Sequence, residues 1–120
     1  MRKEILELKN IGRMPTETLE DTEDILLLIE KYDAVISNIE SPINFEEAKV
    51  IISIFPEGFF YDLHWDLVRL IESFLTQNEQ QYLEIINQCP SKEWKEVLNT
   101  RYINWKKGYY NQYDRGRSLL

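Results

Sequence analysis

His64 is the only histidine in the chain, and it stands between two carboxylates in Asp62-Leu63-His64-Trp65-Asp66. Imidazole is the side chain best suited to moving a proton near neutral pH, provided that a partner orients it beside a substrate. On a helix, a spacing of two residues sends Asp62 and Asp66 to faces other than that of His64. His64 falls instead beside Phe60, Leu67 and Ile71, at the edge of an apolar stripe. The spacing predicts a packed or half-exposed structural histidine, not a general base. Cys89 directly precedes Pro90 and ends an apolar segment. Reactive thiolates favour helix starts and cationic neighbours, so Cys89 reads as a structural thiol. No Gly-rich phosphate loop, Gly-x-Ser-x-Gly elbow or His-Glu-x-x-His pair occurs in the sequence.

Carboxylates are the abundant chemical group. From Glu17 to Glu47 the acids Glu17, Glu20, Asp21, Glu23, Asp24, Glu30, Asp33, Glu40, Glu46 and Glu47 meet one base, Lys31, with Lys49 just beyond. Glu20, Asp21, Glu23 and Asp24 are dense enough to attract a divalent cation loosely. They lack the regular Asp-x-Asp-x-Asp-Gly spacing of a tight loop site, and the first turn of a helix draws acids through its dipole. No metal or other cofactor is expected. Over the whole chain 14 Lys and Arg face 21 Asp and Glu, a net charge of −7. Residues 1–91 hold 7 bases and 18 acids, a balance of −11, whereas residues 92–120 hold 7 bases and 3 acids, a balance of +4. Nucleic-acid affinity comes mostly from Lys and Arg on phosphates, so the acidic part excludes general nucleic-acid binding. It suits a basic protein partner steered by complementary charge.

The last third interleaves Trp94, Tyr102, Trp105 and three further tyrosines with Arg101, Lys106, Lys107, Arg115 and Arg117. Aromatics among bases can stack on single-stranded nucleic acid. The acidic remainder opposes that use. The simpler expectation is a basic last helix pairing with acidic helices of its own domain while tyrosines offer contact area to a protein.

The elements that must carry these residues are helical. Gly and Pro number four each and fall between apolar segments. A chain of 120 residues matches one compact domain, and a single Cys allows no internal disulfide. The longest apolar run, Ile25–Ile29, has five residues where a membrane span needs about 20. Met1-Arg2-Lys3-Glu4 opens in mixed charge without the apolar stretch of a signal peptide. A single cytoplasmic domain over 1–120 is therefore expected.

Residues 1–12 read as a short first helix ending near Gly12. Thr18, with Asp21 three positions on, predicts the cap of a second helix reaching Ser37–Asn38. Asn44-Phe45-Glu46-Glu47 has the layout of a capping box, opening a third helix that stops at Pro56-Glu57-Gly58. Its Lys49–Phe55 stretch is β-branched enough for a strand by propensity. Phe60, Leu63, Leu67, Leu70 and Phe74 form one stripe, and Tyr61, Trp65 and Val68 a second, so Phe59–Phe74 is predicted to be a central helix packed on two sides. Thr76-Gln77-Asn78-Glu79 predicts another capping box. Ser91 caps the last helix, with Trp94, Val97, Leu98, Tyr102 and Trp105 facing inward and Gly108 closing it. Tyr109–Leu120 reads as a further irregular turn or a frayed tail. The expected fold is all-α, five to six antiparallel helices stacked in pairs like a short helical-repeat array.

Leu67-Val68-Arg69-Leu70-Ile71-Glu72-Ser73-Phe74 resembles the centre of the immunity protein 30 family of bacterial polymorphic-toxin systems. Glu93-Trp94 followed by Arg101-Tyr102-Ile103-Asn104 resembles that family's segment near the C-terminus, and Tyr82-Leu83 and Pro90 sit where its connecting helix and turn lie. The resemblance spans about residues 20–107, through short structural motifs. The chain departs from the pattern after Asn104, where Trp105, Lys106 and Lys107 follow, and in its Tyr-rich tail. The resemblance implies a small cytoplasmic α-helical protein that binds and neutralises a cognate toxin. It implies that Glu72, Trp94, Arg101 and Asn104 are scaffold positions, with a buried Glu–Arg pair across helices and an Asn at a helix end.

Charge and resemblance lead to one expectation: a non-enzymatic immunity protein that occludes its toxin, of which a basic nuclease is the type an acidic surface fits. The expected contacts are Glu17, Glu20, Asp21, Glu23, Asp24, Glu46 and Glu47, with Tyr61 and Trp65 as aromatic anchors. No nucleic acid, membrane or small-molecule substrate is expected. A helical-repeat-like adaptor with no toxin partner is the alternative, since it too needs only a stable scaffold and a surface patch.

Overall fold

The chain is described by a computed structural model covering residues 1–17 and 22–118, with side chains as far as Gly108. Among the described residues the backbone forms six helices and no strand. These are α1 (Lys3–Ile11), α2 (Glu23–Ser37), α3 (Phe45–Ser53), α4 (Leu63–Leu75), α5 (Glu79–Asn87) and α6 (Lys92–Ser118). The all-α expectation holds, and the β-branched stretch at Lys49 is helical within α3. Packing of its apolar face overrides its strand propensity.

Helix pairs α1–α2, α3–α4 and α5–α6 pack within themselves. Contacts also run along α1, α3 and α5 in one row and between α2 and α4 in the other. The α4 helix is buried at Leu63, His64, Leu67, Val68, Leu70, Ile71, Phe74 and Leu75, and it touches α2, α3 and α5. It is the central helix that its main stripe predicts; of the second stripe only Val68 is buried, since Trp65 is 43% exposed and Tyr61 precedes the helix. Each large apolar side chain buried there contributes about 1.5–3 kcal/mol, so this one helix supplies much of the core.

Local chemistry sets most boundaries. Asn44 and Glu47 form the expected capping box, the Asn44 side chain accepting from the Glu47 N–H at 2.9 Å and Glu47 accepting from the Asn44 N–H at 3.0 Å. Ser91 accepts from the Trp94 N–H at 3.2 Å and opens α6 as expected. Elsewhere the starts move. The cap of α2 is Thr22, whose hydroxyl accepts from the Ile25 N–H at 3.2 Å, and the cap expected at Thr18 lies outside the described residues. Asn78, not Thr76, caps α5, through the Gln81 N–H at 2.9 Å, because Thr76 still belongs to the end of α4.

Two further corrections matter for function. The α4 helix begins at Leu63 and not at Phe59. Gly58 (φ 78°), Tyr61 (φ 48°) and Asp62 (φ 64°) are all left-handed, which takes the preceding turn out of the helix. At the other end, Gly108 does not close α6, whose backbone continues to Ser118. A single helical glycine costs only about 1 kcal/mol, which a continuous helix tolerates. The tail residues Leu119 and Leu120 lie outside the described residues, as do the side chains of the expected tail from Tyr109 onward. None of the described helices is long and apolar enough to cross a membrane.

Candidate protein-binding surface

Six residues after α3, the chain turns at Phe59–Asp62 and enters α4, and this turn is held from three sides. The Glu17 backbone N–H donates to the Phe59 carbonyl at 2.8 Å, and the Glu17 carboxylate accepts the Tyr61 N–H at 2.7 Å. From below, His64 Nδ1 accepts the Phe60 N–H at 3.0 Å. From the far end of the chain, the Trp94 indole N–H donates to the Gly58 carbonyl at 2.6 Å. Strain stored at two consecutive non-glycine left-handed residues persists only where surrounding contacts fix it, and these bonds do so.

The result is an aromatic nest. The His64 ring lies 5.1 Å from Phe59, 5.4 Å from Trp65 and 5.0 Å from Trp94. Trp94 meets Phe59 and Trp65 edge-on, at 6.0 and 5.3 Å. Trp94 is 1% and His64 2% exposed, whereas Phe59 is 49% and Trp65 43% exposed. Two buried rings thus support two that face solvent. Large rigid aromatics presented in this way are the usual anchors of protein contacts.

Two clefts border Trp65. One, of about 240 Å³, is lined by Glu17, Phe59, Asp62, His64 and Trp65. The other, of about 380 Å³, is lined by Trp65, Glu93, Glu96, Val97, Thr100 and Arg101. The Arg101 guanidinium lies over the Trp65 ring, 6.0 Å from its centroid. Carboxylates therefore rim the aromatic pair on both sides.

His64 is the packed histidine that its position predicts. Burial lowers its pKa below the ordinary value, against the pull of the Asp62, Glu17 and Asp66 carboxylates. With Nδ1 accepting from Phe60, the proton of the neutral ring is on Nε2. Burial likewise pushes the Cys89 thiol up, away from a reactive thiolate.

The acidic residues expected to make one contact face do not all join it. Glu17 does, beside Tyr61, which is half-buried, and Trp65. Glu23 and Asp24 are exposed in the first turn of α2, where they complement the helix dipole. Glu20 and Asp21 lie outside the described residues. Glu46 is exposed but sits at the N-terminal end of α3, a helix length from the turn, and pairs with Lys49 at 3.2 Å. Glu47 is no contact candidate. It is 2% exposed and receives the Arg2 guanidinium at 2.7 and 3.1 Å while capping α3. Its capping role was legible in the sequence, and burial of its side chain follows from that role together with the distant Arg2.

Of the four scaffold positions, Trp94 is buried and Glu72 joins α4 to α6 through Arg101 at 2.7 Å. That pair is half-exposed, with side chains 28% and 46% accessible, where a buried pair was expected. Asn104 is exposed in the interior of α6, not at a helix end, because α6 runs on past it. Trp105, expected to face inward, is 40% exposed. Phe59, 49% exposed beside Trp65, is a candidate that the expected contacts do not include. Its signal was Gly58 immediately before it, which makes Phe59 a turn residue whose ring the core does not claim.

Among the described residues, no group of three or more His, Cys, Asp or Glu is arranged to hold a metal ion. No family model matches the chain, and no curated protein or solved structure does either.

Proposed function

We propose that this protein is an immunity protein, which binds a cognate antibacterial toxin in the cytoplasm and neutralises it by stoichiometric occlusion. The observation that carries the reading is the pair of solvent-facing rings, Phe59 and Trp65, fixed on the buried His64 and Trp94 and edged by carboxylates. Aromatic anchors slow dissociation, and surrounding negative charge speeds encounter with a basic surface. The net charge of −7 supports a basic toxin, of which a nuclease is the fitting kind. The likeness of Leu67–Phe74 and Glu93–Asn104 to the immunity protein 30 family supports the same role. A non-enzymatic role is favoured by His64, whose Nδ1 is committed to the backbone of its own turn.

The deciding experiment is co-expression with the protein encoded beside it. Growth rescue by the native chain, lost in the Phe59→Ala/Trp65→Ala pair with the fold intact, is the expected result. Absence of rescue by the native chain sinks the toxin reading. A second reading, an adaptor built on the helical-repeat pattern, is favoured by the row-wise packing of α1, α3 and α5. It predicts a stable complex with a protein whose expression alone does no harm.

A further inference from the structure

We infer that the cleft between Phe59 and Trp65 seats an arginine side chain presented by a basic protein partner. This rests on the reading of the chain as a protein-binding module, and adds to it the group that is recognised. The cleft holds about 240 Å³, below the roughly 300–1,000 Å³ of pockets that enclose whole small molecules. Its chemistry is unusually one-sided. Two exposed aromatic faces border it, and Glu17 and Asp62 supply carboxylates. Aromatic faces attract cations, and the flat guanidinium both stacks on a ring and offers paired donors to a carboxylate.

The site is held ready before anything binds. Glu17 is anchored by the Tyr61 N–H at 2.7 Å. Neutral His64 adds no positive charge to repel the guest. It lines the cleft while 98% of its surface is covered. Trp65 already accepts one guanidinium from its own chain, that of Arg101. Charge selects the same guest, since residues 1–91 carry 18 acids against 7 bases.

The test titrates the isotope-labelled full chain with acetyl-Gly-Arg-Gly-amide and with the same peptide carrying citrulline or lysine. Saturable shifts of the Tyr61, Asp62 and His64 amides and of the Trp65 indole are expected with arginine alone. Glu17→Gln keeps the acceptor for the Tyr61 N–H, and Asp62→Asn keeps a residue that tolerates left-handed backbone. Each is expected to weaken arginine binding about tenfold, with the remaining spectrum unchanged. Equal shifts with citrulline, equal shifts with lysine, or none with arginine would each overturn the proposal. If arginine binds but co-expression gives no growth rescue, the cleft stands and the toxin reading falls; rescue without arginine binding removes the cleft alone.

Discussion

The indole N–H of Trp94 donates to the carbonyl of Gly58 at 2.6 Å, across 36 positions of sequence. One hydrogen bond thereby fastens the last helix to the turn that displays Phe59. It also satisfies a carbonyl that the left-handed Gly58 turns away from any helix.

Trp94→Phe keeps an aromatic ring but deletes the donor and leaves a small void. The Gly58 carbonyl is half-buried, so leaving it unpaired costs about 1 kcal/mol, and the void left by the buried indole adds about 2 kcal/mol. A fall in unfolding free energy of about 3 kcal/mol in urea is expected, together with broadened Phe59 ring signals. A fall below about 1 kcal/mol would mean that the bond does not hold the turn.

His64 should make stability depend on pH in the mildly acidic range. Its folded pKa lies below the ordinary value, so the folded state prefers the neutral ring. The stabilisation is complete above about pH 6.5 and is lost as pH falls through the lower folded pKa, because protonation also removes the acceptor of the Phe60 N–H. Thermal scans between neutral and mildly acidic pH should show this decline, and His64→Phe should flatten it.

Two Arg–Glu pairs of equal length should differ in worth. Arg2–Glu47 and Arg101–Glu72 both measure 2.7 Å. Only Glu47 is buried, and it also caps α3. Glu47→Ala should cost about 3 kcal/mol, and Glu72→Ala less than about 1 kcal/mol, because exposed pairs are screened by solvent. Chemical denaturation of the two variants side by side decides the matter.

Tyr82 carries a buried hydroxyl with no hydrogen-bond partner among the described residues. Removing it should be neutral or stabilising, by up to about 1 kcal/mol, since the group is desolvated without return. Tyr82→Phe should therefore raise the urea midpoint or leave it unchanged. A marked loss of stability would mean that the hydroxyl has a partner in solution.

Asp62 holds a backbone conformation that costs a side-chain-bearing residue about 1 kcal/mol relative to glycine. Asp62→Gly should raise stability by about that amount while weakening arginine-peptide binding. Opposite movements in denaturation and titration would identify strain kept for function.

Local rules carried much of this fold. Asn44–Glu47 and Ser91 determined their helix starts alone, because a cap needs only its own side chain and the backbone three residues on. The alternating spacing from Phe60 to Phe74 determined that α4 is central. Other features belong to the tertiary structure. Glu47 and Glu46 are neighbours of the same type, yet only Glu47 is buried, because Arg2 reaches it from 45 positions away. Trp94 and Trp65 were both legible as aromatic, but which one faces solvent depends on where α6 crosses the start of α4. The candidate surface is the sharpest case. Glu17, the Phe59–His64 segment and Trp94 come from three separate stretches of chain, and a backbone kinked at Tyr61 and Asp62 aligns them. Periodicity along the sequence records which residues prefer burial. It holds no record of which distant partner is present to bury them, and that choice alone left Phe59 and Trp65 exposed.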